Sequence, residues 1–103
     1  MKAPLSEQFV KRADHVVWKV IEGKGILLNL ENGSYFETDP VGLAIWQQCN
    51  GKTSGFKIAQ TISEEFSGDL SRVSKDLAEF VSELKRRKMV EVLDKLETAA
   101  VFA

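Results

Sequence analysis

The sequence predicts an α+β domain of winged-helix-like arrangement: a three-stranded antiparallel β-meander followed by a three-helix bundle. Three observations carry this. Residues 9 to 38 are rich in β-branched and aromatic side chains, with period-two alternation interrupted by glycine-bearing turns. Asp39-Pro40 and Ser54 are helix-start signals. From Leu70 to Leu84, apolar residues recur every three or four positions, the spacing of one buried helical stripe.

Taken in order, residues 1–8 contain Pro4 and no apolar period, and are expected to form a flexible N-terminal arm. Between Phe9 and Ile21, VVWKVI favours a first strand, which Glu22-Gly23-Lys24-Gly25 breaks. A second strand, ILLNL, sets Ile26, Leu28 and Leu30 on one face and Leu27 and Asn29 on the other. Asn32-Gly33 offers the two positive-φ residues of a type I′ turn, and Ser34–Thr38 returns as a third strand. A meander of this kind leaves its outer strands with open edges.

Asp39 is placed to cap a first helix with Pro40 at its first position and Val41, Ile45 and Cys49 on its apolar face, beside Gly42 and Trp46; Asn50-Gly51 is its expected stop. Ser54 caps a second helix whose inward residues are Phe56, Ala59, Ile62 and Phe66, with Ile58 beside them and Gly68 as the end. The third helix begins near Asp69 or Ser71, carries Leu70, Val73, Leu77, Phe80, Val81 and Leu84, and closes on KRRK, where cations meet the negative end of the helix dipole. MVEVL has the composition of a further short strand. The expected organisation is one domain over 9–93 and a C-terminal tail over 94–103, with Trp18, Leu28, Ile45, Trp46, Ile62, Phe66, Leu77 and Leu84 in the core.

A chain of 103 residues buries roughly 65% of its unfolded surface, enough for one core without disulfides. With a net charge of -1 and a pI near 5.8 it has no general basic field to attract nucleic acid. Cys49 is the one cysteine, which excludes an internal disulfide. No apolar run approaches the ~18 residues of a membrane span, and MKAPLSEQF lacks the apolar stretch of a signal peptide, so neither membrane insertion nor export is expected and a cytoplasmic setting follows.

Catalysis finds little material. One histidine, His15, and one cysteine make no zinc constellation, and no metal or other cofactor is expected. Glu64-Glu65 reads as solvated charge. Nucleic-acid binding through the third helix is disfavoured because Asp69, Asp76, Glu79 and Glu83 share that helix with KRRK. An open strand edge beside an amphipathic helix, in contrast, makes a groove for an extended peptide, whose backbone joins the sheet. The competing use of the same edge is pairing with a second copy of the chain, as a homodimer or an assembly subunit.

YFETDPVGLAIWQQCNG, a following Ser54 and Ile58-Ala59 helix, and KDLAEFVSELKRRKMVEV together resemble the PqqD family of pyrroloquinoline quinone biosynthesis. Asp39, Gly42, Ile45, Trp46, Asn50, Gly51, Ser54, Asp76, Leu77, Phe80 and Leu84 occupy the family's pattern positions over about residues 16 to 92. Thr38 stands where the family usually has Leu, and Lys88-Met89-Val90 where it has Gly-Leu-Ile. Members devoted to the quinone tend to carry LLAPE where this chain has LLNLENGSYF, so the resemblance is to a stand-alone RiPP recognition element of general type.

The resemblance implies a non-catalytic domain that binds the leader of a ribosomally made precursor peptide. The leader adds to the third strand against the third helix and is delivered to a modifying enzyme, often a radical SAM enzyme and in other members a lasso-peptide protease or cyclase. On that basis Ser34, Tyr35, Phe36, Glu37 and Thr38 offer the receiving edge. Tyr35 and Glu37 point one way and Phe36 and Thr38 the other, and the alternation alone does not say which pair lines the groove. On the third helix, Asp76, Phe80, Glu83 and Arg87 form one border of the apolar stripe and Ser74, Ala78, Val81 and Lys85 the other. The first border is preferred because Asp76 is the family-matching polar position, with Arg87, joined by Arg86, suited to carboxylates on the leader.

Overall fold

The computed structural model describes residues 3–94, which form β1 (Phe9–Arg12), β2 (Val16–Ile21), β3 (Lys24–Asn29), β4 (Tyr35–Glu37), α1 (Pro40–Gln47), β5 (Asn50–Ser54), α2 (Gly55–Glu65), α3 (Leu70–Arg86) and β6 (Val90–Leu93). The strands make two three-stranded antiparallel sheets, β2-β3-β4 and β5-β1-β6. The first is the predicted meander. The second was foreshadowed only by MVEVL, now β6.

The stretch from Phe9 to Ile21 is two strands rather than one. The Arg12 amide donates to the Cys49 carbonyl and the Ala13 amide to the Met89 carbonyl, which hold β1 between β5 and β6. A turn closed by Val16 N–H to Ala13 C=O then sends β2 into the other sheet. Asn50-Gly51 likewise does more than stop α1. The helix ends at Gln47, and Asn50 and Gly51 are the first residues of β5, with Gly51 at φ +78 where the pairing with β1 is irregular.

The two-residue type I′-like turn lies at Glu22-Gly23, where both φ angles are positive, and it joins β2 to β3 with Ile21 opposite Lys24. At the predicted site only Gly33 has positive φ, and residues 30–34 form a longer loop closed by Gly33 N–H to the Asn29 carbonyl. That loop is built on a side chain: Asn29 Oδ1 accepts from the Glu31 and Asn32 amides.

The helix starts match expectation. Asp39, Ser54 and Asp69 each accept from a first-turn amide, and Pro40 opens α1. At its other end α3 finishes in a Schellman motif, with Lys88 N–H to Lys85 C=O and Met89 N–H to Leu84 C=O. Lys88 takes the left-handed position at φ +59, which a side chain resists and glycine does not. Lys88→Gly is therefore expected to stabilise the fold by about 1 kcal/mol. A thermal melt checks this, and a rise of about 4–8 °C is the expected result.

Val10, Leu27, Ile45, Trp46, Ile58, Ile62, Leu77, Val81, Leu84 and Met89 form the centre of the core. Three expected core residues lie outside it. Leu27 and Asn29 take the inner face of β3, so Leu28 is turned outward and is 37% exposed. Trp18 meets Trp46 edge-on at 6.1 Å but sits on the outer strand of its sheet, leaving 38% of it in solvent. Phe66 is the C-cap of α2, past the last buried turn, and Phe56 is also exposed because Ile58, Ala59 and Ile62 take the inward positions.

Residues 5–7 of the expected arm form a 3-10 turn whose Leu5 packs on the core; a Cβ on Gly55 would lie 2.2 Å from the Leu5 carbonyl oxygen. The tail over 94–103 lies outside the described residues apart from Asp94. No helix among the described residues is long and apolar enough to cross a membrane.

Candidate functional site

The candidate site is the edge of β4, which pairs with no second strand among the described residues. Across β3 and β4, the Asn29 amide donates to the Ser34 carbonyl and the Thr38 amide to the Gly25 carbonyl, while Phe36 stands opposite Leu27. Antiparallel alternation then directs the backbone groups of Ser34, Phe36 and Thr38 toward β3. The N–H and C=O of Tyr35 and Glu37 point the other way, off the sheet. A described contact on that edge confirms the direction: Arg87 Nη1 reaches the Tyr35 carbonyl at 3.5 Å.

Side chains alternate with the backbone. Phe36 is on the inner face, 6.1 Å between ring centroids from Phe80 of α3, and the Arg87 guanidinium lies 4.8 Å over its ring. Thr38 is also inward but fully buried, its hydroxyl accepting from the Gly25 amide, so it supports the strand rather than lining an open surface. Tyr35 and Glu37 are on the outer face, Tyr35 55% exposed and Glu37 facing Lys24 at 3.6 Å.

Along α3, Asp76, Phe80, Glu83 and Arg87 are the border turned toward β4 and α1. Val81 of the other border is buried, and Lys85 lies toward Leu5 and Val92. Beyond Phe80 the groove widens into an open concavity of about 460 Å³ lined by Asp39, Val41, Gly42, Ile45, Asp76, Glu79 and Phe80. Gly42 makes this possible: a Cβ there would stand 3.1 Å from Phe80 Cε1. At the opposite end Glu83 accepts from Arg87 Nε at 2.6 Å and also from Arg86. These hydrogen bonds, Arg86's first, hold the Glu83 carboxyl below the usual glutamate range. Because the folded value is depressed, the clasp is complete at neutral pH and is lost as pH falls through that value. An acid titration followed on the Arg87 Nε–H resonance checks this, with Arg87 expected to loosen only below the ordinary glutamate range.

The spacing of β4 and α3 is fixed by Asn29, a fully buried amide that sequence reasoning did not single out. Its Nδ2 donates to the Arg87 and Lys88 carbonyls at 3.1 Å each, while its Oδ1 holds the 30–34 loop. His15 Nε2 donates to the same Lys88 carbonyl at 2.8 Å. Asn29→Leu removes the partner of the half-buried Arg87 carbonyl and of the Glu31 and Asn32 amides, while the Lys88 carbonyl keeps His15; each group stranded away from water costs about 1–3 kcal/mol. The expected result is a loss of at least about 2 kcal/mol in urea denaturation, with resonances of Phe36 and Phe80 shifted together. The sequence signal for Asn29 was a polar residue on the Leu27 face of a strand.

The two reactive side chains serve structure. Besides His15, Cys49 is fully buried with its Sγ 3.2 Å from the Ile45 carbonyl, and burial pushes its thiol up to about 12, so it is not a thiolate at neutral pH. Among the described residues no group of three His, Cys, Asp or Glu side chains is placed to hold a metal.

The family model described as Coenzyme PQQ synthesis protein D (PqqD) matches residues 24–90. The chain belongs to the PqqD family. A Rhizobium meliloti (strain 1021) protein described as PqqA binding protein is 29% identical over 73 residues, 71% of this chain and 72% of that protein. Among solved structures, TbiB1 in complex with the TbiA(beta) leader peptide aligns with a TM-score of 0.73 and 33% identity, over 79% of this chain and 94% of that one. A lasso peptide synthetase B1 complexed with the leader peptide shares the fold, with a TM-score of 0.71 at 20% identity over 80% and 96% of the two chains.

Proposed function

We propose that this PqqD-family chain binds the leader of a precursor peptide as an added strand on β4 and presents it to a modifying enzyme, without catalysing a reaction itself. The observation that carries the proposal is the β4 edge, whose Tyr35 and Glu37 backbone groups face off the sheet beside Phe36, Phe80 and Arg87. An incoming strand supplies the missing ladder partners, and its inward side chains meet Phe80 and the concavity beyond it. A peptide N–H takes the Tyr35 carbonyl from Arg87, whose guanidinium then turns to a ligand carboxylate. The relatives named for PqqA and for leader peptides support the ligand class. The modifying enzyme is of the lasso-peptide or radical SAM type, and the setting is cytoplasmic.

Fluorescence polarisation with labelled peptides from the short reading frames beside the gene tests this. Saturable binding by one of them, little changed by salt, is the expected result. Binding of none overturns the proposal, and binding of nucleic acid that steepens as salt falls replaces it. A second reading, self-pairing, has one specific observation in its favour: β2 is also an edge strand and exposes Val17, Trp18, Val20 and Ile21. A concentration-dependent dimer in sedimentation, abolished by Val20→Lys, would establish it.

A further inference from the structure

The outer face of the β2-β3-β4 sheet, opposite the groove, is apolar and exposed. Register places Val17 opposite Leu28 and Leu28 opposite Tyr35, one continuous row ending at the β4 edge. The next row is Lys19, Ile26 and Glu37, and ends at that edge in a carboxylate. Val17, Leu28 and Tyr35 are each at least 37% exposed, and an open concavity of about 380 Å³ lies over the face. The surface is far more apolar than solvation of a sheet face requires.

We infer that this outer face, together with the edge, selects the peptide's outward side chains: an apolar or aromatic residue beside Tyr35 and a lysine or arginine beside Glu37, two positions apart. The inference rests on strand addition to β4. A strand hydrogen-bonded to Tyr35 and Glu37 places one residue beside each, with both side chains on the outer face and the residue between them facing Phe36 and α3. The first of these residues becomes the fourth member of the Val17–Leu28–Tyr35 row and covers its open end. The second meets Glu37, whose present partner Lys24 is a half-exposed surface pair, weak enough to be shared or exchanged. Opposite charges directly across a sheet attract and like charges repel, so Glu37 discriminates sign. The order of the two residues also reports strand direction. An antiparallel peptide reads basic–x–apolar from its N-terminus, and a parallel one reads apolar–x–basic.

The test uses a bacterial-display library of random dodecapeptides, sorted against the full chain and against Glu37→Pro. Peptides captured by the former and lost on the latter are those bound at the edge. These edge-dependent sequences are expected to carry the apolar and basic residues two apart. Sorting on Glu37→Lys should replace the basic residue by Asp or Glu, and Glu37→Gln should erase the preference. Cross-strand pairs of this kind change affinity by about two- to fivefold, which is the discrimination expected between Lys and Glu at that position of a captured peptide. Edge-dependent peptides with no charge preference, or with one that survives Glu37→Lys and Glu37→Gln unchanged, overturn the inference and leave strand addition standing. Absence of any edge-dependent peptide overturns both.

Discussion

Replacing Glu37 by proline is expected to leave the fold intact and to lower affinity for a bound peptide at least about tenfold, some 1.4 kcal/mol or more. The Glu37 N–H faces away from β3, so the β3–β4 ladder does not lose a hydrogen bond, and edge strands accept proline on their free side. An added strand loses that donor, worth about 0.5–1.5 kcal/mol net, and meets the pyrrolidine ring in its place. Glu37→Gln keeps the N–H and should cost only a few-fold. Proline at Phe36 behaves differently, because that N–H belongs to the β3 ladder and its loss destabilises the protein itself. Paired measurements of affinity and melting temperature separate the cases: an intact Glu37→Pro protein with full affinity contradicts strand addition.

Trp46→Ala is expected to be the most destabilising single change, at about 3–5 kcal/mol. Trp46 is completely buried, meets Trp18 edge-on, and lies 6.0 Å from the Arg12 guanidinium. Arg12 in turn donates to the Trp46 and Neighbouring Gln47 carbonyls at 2.9 and 3.0 Å, closing the C-terminal end of α1. Truncation thus opens a cavity between α1 and the sheet and loosens the helix that carries Gly42 and Asp39 to the groove. Against a total of about 5–15 kcal/mol, the variant is left marginal or unfolded. Trp46→Phe should cost markedly less, because the indole N–H meets no acceptor among the described residues. Urea denaturation of both variants checks the pair of expectations, and an unchanged midpoint for Trp46→Ala contradicts the packing described.

The helices were legible because their signals are local. Asp39, Ser54 and Asp69 cap where their side chains allow, and the period from Val73 to Leu84 names the buried face of α3. The β5-β1-β6 sheet was not, since its strands are four or five residues long, NGKTS has no strand composition, and Phe9–Ile21 shows no break where the chain changes sheets. Both faces of β3 are apolar, so the choice between Leu27 and Leu28 is made by tertiary packing, and with it the choice of which β4 residues face α3. The same parity explains the site. Phe36 with Phe80 and Arg87 could be placed together once the inner face was known, while Thr38 proved buried and Tyr35 and Glu37 turned their side chains outward. Asn29 stood out in the sequence only as a polar residue on the Leu27 face, and its role in joining α3 to β3 rests on contacts 58 and 59 residues apart.

Strand addition occupies the outward backbone groups of β4, and amide hydrogen exchange reads those groups directly. In the free protein the Tyr35 and Glu37 amides should exchange quickly while Phe36, bonded into β3, is protected. Saturation with a bound peptide should slow Tyr35 and Glu37 and leave Phe36 as it was. A peptide that binds tightly while the Tyr35 and Glu37 amides continue to exchange freely would contradict strand addition to β4, and would place the ligand elsewhere on the domain.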